Sequence, residues 1–225
     1  MSSQASIPHG PILAIDAGGR ETCIGVLRDG AWLSRISSVN PPLEALFSLT
    51  RRCLDDSRLA LRDLSGFAFC NGPGSTLGLR LASAALLAWR NLAPEPLPIV
   101  HYQSLELAWF PFLRQGSTPT GRWLVTDYRK NLWLGAPAED PKRIQEIDTN
   151  FLSGLETGFY HLPQRKSWMP PPGTPEPVDY PFADLPDFLL AQPQPRIESR
   201  PVLALPGKSD YRRWTPDRHR ATEST

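Results

Sequence analysis

The sequence predicts an α/β protein, and two observations carry that prediction. Short apolar runs of strand length recur between glycine- or proline-marked turns, and longer runs with helical spacing follow them from residue 41 onward. The stretch Gly66-Phe67-Ala68-Phe69-Cys70 leads into Asn71-Gly72-Pro73-Gly74-Ser75, and an Ala/Leu-rich run from Thr76 to Leu92 follows. Strand, glycine loop and helix in that order either aim backbone N–H groups at an anion or let a helix pack closely on a sheet.

The elements read in order. Ile12-Leu13-Ala14-Ile15 is a short apolar strand ending at Asp16. Thr22 to Leu27 is a second strand, and Asp29-Gly30 supplies the positive φ of a tight hairpin turn. Ala31 to Ser37 is a third strand. Pro41-Pro42 opens a helix in which Leu43, Leu46, Phe47, Thr50, Cys53 and Leu54 recur at helical spacing. Strand 66–70, helix 76–92, strand 99–102 and helix 105–113 complete a β-β-β-α-β-α-β-α order, the ribonuclease-H-like order seen in actin, Hsp70 and sugar kinases. A restart at Trp123-Leu124-Val125-Thr126-Asp127, with a hairpin partner over 131–136 and a third strand over 144–147, implies a duplicated architecture. The fold class expected is therefore a two-lobed, actin-like α/β protein with a truncated second lobe. Its parts are a disordered stretch over 1–10, a first lobe over 11–115, a second lobe over 116–216 and a disordered tail over 217–225.

Composition bounds the function. The chain has 225 residues with 40% hydrophobic and 21% charged, which suits one large or two small globular domains. A net charge of +1 gives no bulk attraction to nucleic acid or membrane. Cys23, Cys53 and Cys70 are odd in number and form no C-x-x-C pair, which points to buried, reduced thiols and a cytoplasmic setting. No signal-like start and no apolar run near 18–20 residues is present, so no membrane is expected. Proline is heavily used: 25 residues, with twelve between Pro163 and Pro206. Proline lacks a donor and fixes φ, so extended chain wrapped on the globule is expected there, with one short helix near 185–191.

Few residues promise chemistry. Asp16 with Gly18 and Gly19 either holds a metal-bound phosphate or caps its own turn, the commoner use of Asp-x-Gly. Asp127, with Arg129 beside it, is the only positional candidate for a second acidic loop, and it lacks phosphate-cradling glycines. The Gly72–Gly74 loop is no P-loop, since no Gly-Lys-Ser/Thr follows. Ser75 is placed to cap the helix after it. Arg80, one turn in, suits an anion or a salt bridge. The four histidines are scattered, with no paired metal motif and no G-x-S-x-G elbow. Trp123, Trp133, Trp168 and Trp214 near basic residues suit either base stacking or core packing.

Helix 76–92 is apolar nearly all round, so something must cover two of its sides. Its second side meets either the other lobe or another protein. If it is another protein, Leu77, Leu81, Ala82, Ala85 and Trp89 are the residues to face it, the alanines allowing close helix approach; a helix buried between two lobes reads equally well from the residues alone.

These strings together resemble a known family. Ile15-Asp16, then Gly72-Pro73-Gly74-Ser75 with Gly78-Leu79-Arg80, then Asp127-Tyr128-Arg129 followed by Leu132-Trp133-Leu134-Gly135, are similar in order and spacing to the bacterial TsaB (YeaZ) family. Pro201-Val202-Leu203 followed by Tyr211-Arg212-Arg213-Trp214 resembles its C-terminal strand and basic tail. The chain departs from the family pattern at Ala17-Gly18, where Thr-Ser is usual, and at Thr76-Leu77, where Phe-Thr is usual. The resemblance implies the actin-like ATPase fold and a non-catalytic role in making threonylcarbamoyladenosine in tRNA. It implies a TsaD-type catalytic subunit as partner, held through helix 76–92, with a TsaE-type ATPase joining and tRNA met indirectly. It also implies a possible homodimer through the same helix. No cofactor of its own is implied, with ATP or ADP and magnesium confined to a shared interface. The competing expectation is a nucleotide-binding enzyme of the actin-like class using Asp16, Gly18, Gly72, Gly74, Ser75, Arg80, Asp127 and Arg129.

Overall fold

A computed structural model describes residues 6–93, 95–117, 119–165 and 170–204. Its centre is strand β1 (Ile12–Asp16), in which every residue is buried. A strand covered on both faces cannot alternate apolar with polar residues, and this one reads Ile-Leu-Ala-Ile for that reason. Leu13 and Ile15 face one core; Ile12 and Ala14 face another.

Around β1 the first sheet builds outward. Strand β2 (Thr22–Arg28) pairs antiparallel with β1, and β3 (Ala31–Ser38) pairs antiparallel with β2. Asp29 and Gly30 take positive φ at the hairpin, as the sequence anticipates. Helix α1 (Pro42–Asp56) follows, with proline at its first position, where the missing N–H costs nothing. Strand β4 (Gly66–Cys70) pairs parallel to β1, helix α2 (Thr76–Leu92) follows, and β5 (Ile99–Tyr102) pairs parallel to β4. Helix α3 (Ser104–Arg114) then leaves for the second lobe.

The second lobe repeats the opening theme. Strands β6 (Trp123–Arg129), β7 (Leu132–Pro137) and β8 (Gln145–Asp148) form an antiparallel meander. The short helix α4 (Thr149–Ser153) stands where α1 stands in the first lobe, and β9 (Phe159–His161) pairs parallel to β6 as β4 does to β1. The two-residue strand β10 (Glu176–Pro177) closes the sheet beside β9. Among the described residues the lobe's own helix after β8, α4, is five residues long against fifteen in α1, which makes it a shortened copy of the first.

The chain then returns, which the division at residues 115 and 116 does not anticipate. Helix α5 (Leu185–Leu190) packs behind the first sheet, and strand β11 (Arg196–Glu198) pairs antiparallel with β5. The first sheet is thus six-stranded, in the order β11-β5-β4-β1-β2-β3. Residues 182–204 belong physically to the first lobe. Residues 6–10 are also placed against it, Ile7 beside the core behind the sheet and Pro8 over Gly66, rather than forming a loose end. The expectations for residues 1–5, for 217–225, for Trp168 and for Tyr211–Trp214 fall outside the described residues.

Which helix lies between the lobes is settled by burial. Leu105, Ala108 and Trp109 of α3 pack on Leu124, Ala136 and Leu162 of the second lobe. Trp109 is fully buried there, and its Nε1 donates to the Ala136 carbonyl at 3.2 Å. Helix α2 is not between the lobes. Ala82, Ala85, Leu86 and Trp89 turn into the core against α1 and the first sheet. That corrects the expected partner-facing set: Ala82, Ala85 and Trp89 are spent on the chain's own packing, and Leu81 is half-buried. Only Leu77, at 67% exposed, points fully outward. Leu43 and Phe47, expected inside on α1, are exposed as well, because Ala45 and Leu49 take the inward positions instead.

An arginine at position 85 must bury an unpaired charge, since Ala85 is only 3% exposed. The expected cost of Ala85→Arg is about 3 kcal/mol or more. Thermal denaturation should show Tm lower by about 10 °C, whatever partners are present.

Candidate functional site

The glycine loop packs against the turn after β1. Ser75 N–H donates to the Gly18 carbonyl at 2.7 Å. A Cβ on Gly74 would collide with the Gly18 backbone, and one on Gly78 with the Ala17 carbonyl oxygen. These two glycines are there so that two stretches of backbone can touch, which is the close-packing use of the motif rather than the phosphate-cradling one. Gly72 has φ +117° and lies against the Ala204 carbonyl. Ser75 caps α2, its hydroxyl accepting from Gly78 N–H at 3.3 Å. Arg80 stays exposed on the first turn of α2.

Asp16 is 1% exposed at the carboxyl end of β1. Its Oδ1 accepts from Gly18 N–H at 2.9 Å, the turn-capping use of the residue. Its Oδ2 accepts from the hydroxyl of Tyr180, and from that of Tyr102 at 3.4 Å. Burial pushes its carboxyl above the usual carboxylate range, and the hydrogen bonds from Tyr180, Gly18, Cys70 and Tyr102 oppose that without reversing it. The same burial pushes the Cys70 thiol and both tyrosine hydroxyls well up. All three cysteines are buried free thiols, so they are unreactive as well as unpaired.

Asp127, on the facing lobe, is as deeply buried. Its partners include His161 at the end of β9 and Arg165 beyond it. Arg165 N–H donates to Asp127 Oδ2 at 2.8 Å, and the Arg165 guanidinium donates to the Asp127 carbonyl. His161 Nε2 lies 3.2 Å from Asp127 Oδ1. Arg129 instead stacks 4.7 Å over its neighbour Tyr128. Burial lowers the Arg165 guanidinium from its ordinary value, and the Asp127 charge pulls the other way.

Between the two carboxylates lies a cavity of about 240 Å³, lined by Gly18, Pro73, Ser104, Thr126, Arg165 and Tyr180 among others. That is below the ~300–1,000 Å³ usual for small-molecule sites. Neither Asp16 nor Asp127 lines it; its charged lining comes from Arg20, Glu21, Arg165 and Asp179 instead. Among the described residues no cluster of three or more His, Cys, Asp or Glu side chains is placed to hold a metal. Trp123 and Trp133 are core residues and offer no face for base stacking.

What the chain does present is a surface. The outer sides of α1 and α2 lie next to each other, with Phe47 packed edge-on against Trp89 at 5.7 Å between ring centroids. Leu43 and Phe47 from α1 and Leu77, Leu87 and Leu92 from α2 are exposed there, Leu43 at 67% and Phe47 at 56%. Ala84 and Ala88 lie exposed between the α2 leucines. Several exposed large apolar side chains on one helix pair are unusual for a surface that meets only water.

The sequence had pointed to α2 but not to Leu43, Phe47, Leu87 or Leu92. A helix with apolar residues nearly all round does not announce which side faces in. Tyr102, Tyr180, His161 and Arg165 went unseen because their partners lie far away in the chain, as with Tyr180 and Asp16.

The topology and the inter-lobe cleft define a two-lobed protein of the actin-like ATPase fold. Two solved structures share this fold. YeaZ from Pseudomonas aeruginosa superposes with a TM-score of 0.61 at 16% identity, over 87% of this chain and 99% of that one. A second structure, titled an uncharacterized protein with similarity to peptidase YeaZ from Pseudomonas aeruginosa, gives a TM-score of 0.56 at 18% identity, over 83% of this chain and 94% of that one. The fold is therefore shared with YeaZ along nearly its whole length. No family model and no curated protein matches the sequence. Among the described residues no helix is long and apolar enough to cross a membrane.

Two outcomes are expected. Gly78→Ala should lower stability measurably in thermal denaturation, because its Cβ has nowhere to go but into the Ala17 carbonyl. Asp16 gives a pH signature. Its folded-state carboxyl titrates above the unfolded one, so its favourable contribution is complete below about pH 4 and is lost as pH rises through the folded-state value. The difference in Tm between the wild type and Asp16→Asn should therefore shift against the wild type as pH is raised from 4 to 8.

Proposed function

We propose that this chain is a non-catalytic partner subunit in the modification of tRNA to threonylcarbamoyladenosine, docking a TsaD-type catalytic subunit on the outer face of α1 and α2. The observation that carries the reading is that exposed apolar face, on a chain with the fold of YeaZ. Leu43, Phe47, Leu77, Leu87 and Leu92 supply the apolar area, and Ala84 and Ala88 let a partner's helices approach closely. A helix pair that offers such a face suits another helix pair, in the manner of a four-helix packing.

The sequence resemblance supplies the identity of the partner. A TsaE-type ATPase joins the same assembly, tRNA is met through the catalytic subunit, and any ATP or ADP with magnesium sits at a shared interface. The rival reading, a nucleotide-using enzyme, has less support. Its two acidic residues are buried under Tyr180 and Arg165, and its glycines are filled by backbone.

Co-expression with the TsaD-type subunit of the same cell, followed by size-exclusion chromatography, tests the reading. A co-eluting complex is expected. Phe47→Glu and Ala84→Arg, both exposed positions, should abolish it while leaving Tm within about 2 °C of the wild type. Separate elution of the wild-type proteins sinks the proposal. Elution of this chain as its own dimer, broken by the same substitutions, would assign the face to a second copy instead.

A further inference from the structure

The proline-rich return of the chain follows a path with a mechanical result. It starts on the second lobe, where β10 pairs with β9 and Val178 N–H donates to the His161 carbonyl at 3.0 Å. Glu176 is also ion-paired there with Arg122. Tyr180 then crosses the cleft. Its ring borders both the core shared by α3 with the second lobe and the core behind the first sheet. Its hydroxyl donates to Asp16 of the first lobe. From there the chain is fixed to the first lobe. Phe182, Leu185 and Phe188 enter the core behind the sheet, Trp32 Nε1 donates to the Ala183 carbonyl at 2.8 Å, and β11 extends the sheet beside β5. Just upstream, Arg165 holds Asp127 on the opposite wall. Both buried carboxylates that flank the cleft are thus engaged by residues that follow β9, Arg165 on Asp127 and Tyr180 on Asp16.

We infer that Arg165 together with Asp179 and Tyr180 of the returning chain is the built-in bridge of the inter-lobe cleft, with Tyr180 on Asp16 as the pin that holds the two lobes at one angle. A ligand bound between two lobes bridges them by touching both walls; here the chain's own segment makes that bridge. The proline content suits the task. A strap with few ladder hydrogen bonds of its own is ordered at lower cost when its unfolded form is already restricted. The pin is sensitive, because a buried carboxyl that loses a donor has no water to replace it. This inference stands on the cleft alone and does not rest on the proposed function, whose surface lies on α1 and α2.

Hydrogen exchange on the full chain tests it. In Tyr180→Phe, amides over 176–184 and over 17–19 should exchange about tenfold faster or more, while those of α2 and β4 keep the wild-type rate. Glu176→Gln, a milder cut at the second-lobe anchor, should speed the same strap amides by a smaller factor. Millimolar magnesium–ADP should leave the wild-type pattern unchanged, because Tyr180 and Arg165 already engage the two carboxylates and leave a cavity of only about 240 Å³. Unaltered exchange over 176–184 in both variants overturns the inference. So does protection of residues 17–21 in the wild type by magnesium–ADP, an arm that needs no variant to fold.

Discussion

The contact between the turn after β1 and the loop after β4 determines much of what this protein presents. Two stretches of backbone meet there with no side chains between them, Ser75 N–H on the Gly18 carbonyl and Gly78 against the Ala17 carbonyl. The contact draws the start of α2 down onto the sheet and fixes how the helix is rotated. With that rotation set, Ala82, Ala85, Leu86 and Trp89 must face the core, and Leu77, Ala84, Leu87 and Ala88 must face out. The exposed apolar face of α2 is therefore a consequence of a glycine contact about one helical turn away.

The second determinant is α3. Trp109 and its neighbours join the lobes through a dry, aromatic seam in which Trp109 meets Phe112 and Tyr160 edge to face. The returning chain crosses the same seam near Tyr180. Two crossings, one helical and one extended, are what let a second lobe without long helices stay docked. Its sheet is covered on one face by α3 and on the other only by α4 and the small cluster around Trp133.

Most of the first lobe was legible in the sequence because its signals are local. Asp29-Gly30 makes its turn wherever it sits, Pro42 starts a helix, and the apolar runs of β1 and β4 are of strand length between turn residues. The repeat of the theme at Trp123 was legible for the same reason. Strands β10 and β11 were not, since two or three residues carry no period and owe their conformation to the edge they join. The candidate site divided along the same line. The capping roles of Asp16 and Ser75 are local and could be read. The hold of Tyr180 on Asp16 and of Arg165 on Asp127 is set by the tertiary path. The inward side of α2 could not be read either, because its composition gives no contrast between faces; Ala85 and Ala84 look alike until the helix is docked.

The return of β11 to the first sheet also bears on how the chain is made. Synthesis delivers β5 at residues 99–102, but the strand that pairs with its outer edge arrives only at 196–198. Through that interval the first lobe lacks Phe182, Leu185 and Phe188 from the core behind its sheet, and β5 presents an open edge of unpaired backbone groups. Such an edge is where nascent chains pair wrongly with one another. The first lobe can collapse early around β1, yet its sheet closes only once residues 196–198 have been made, so a slow, non-local step of folding waits for them.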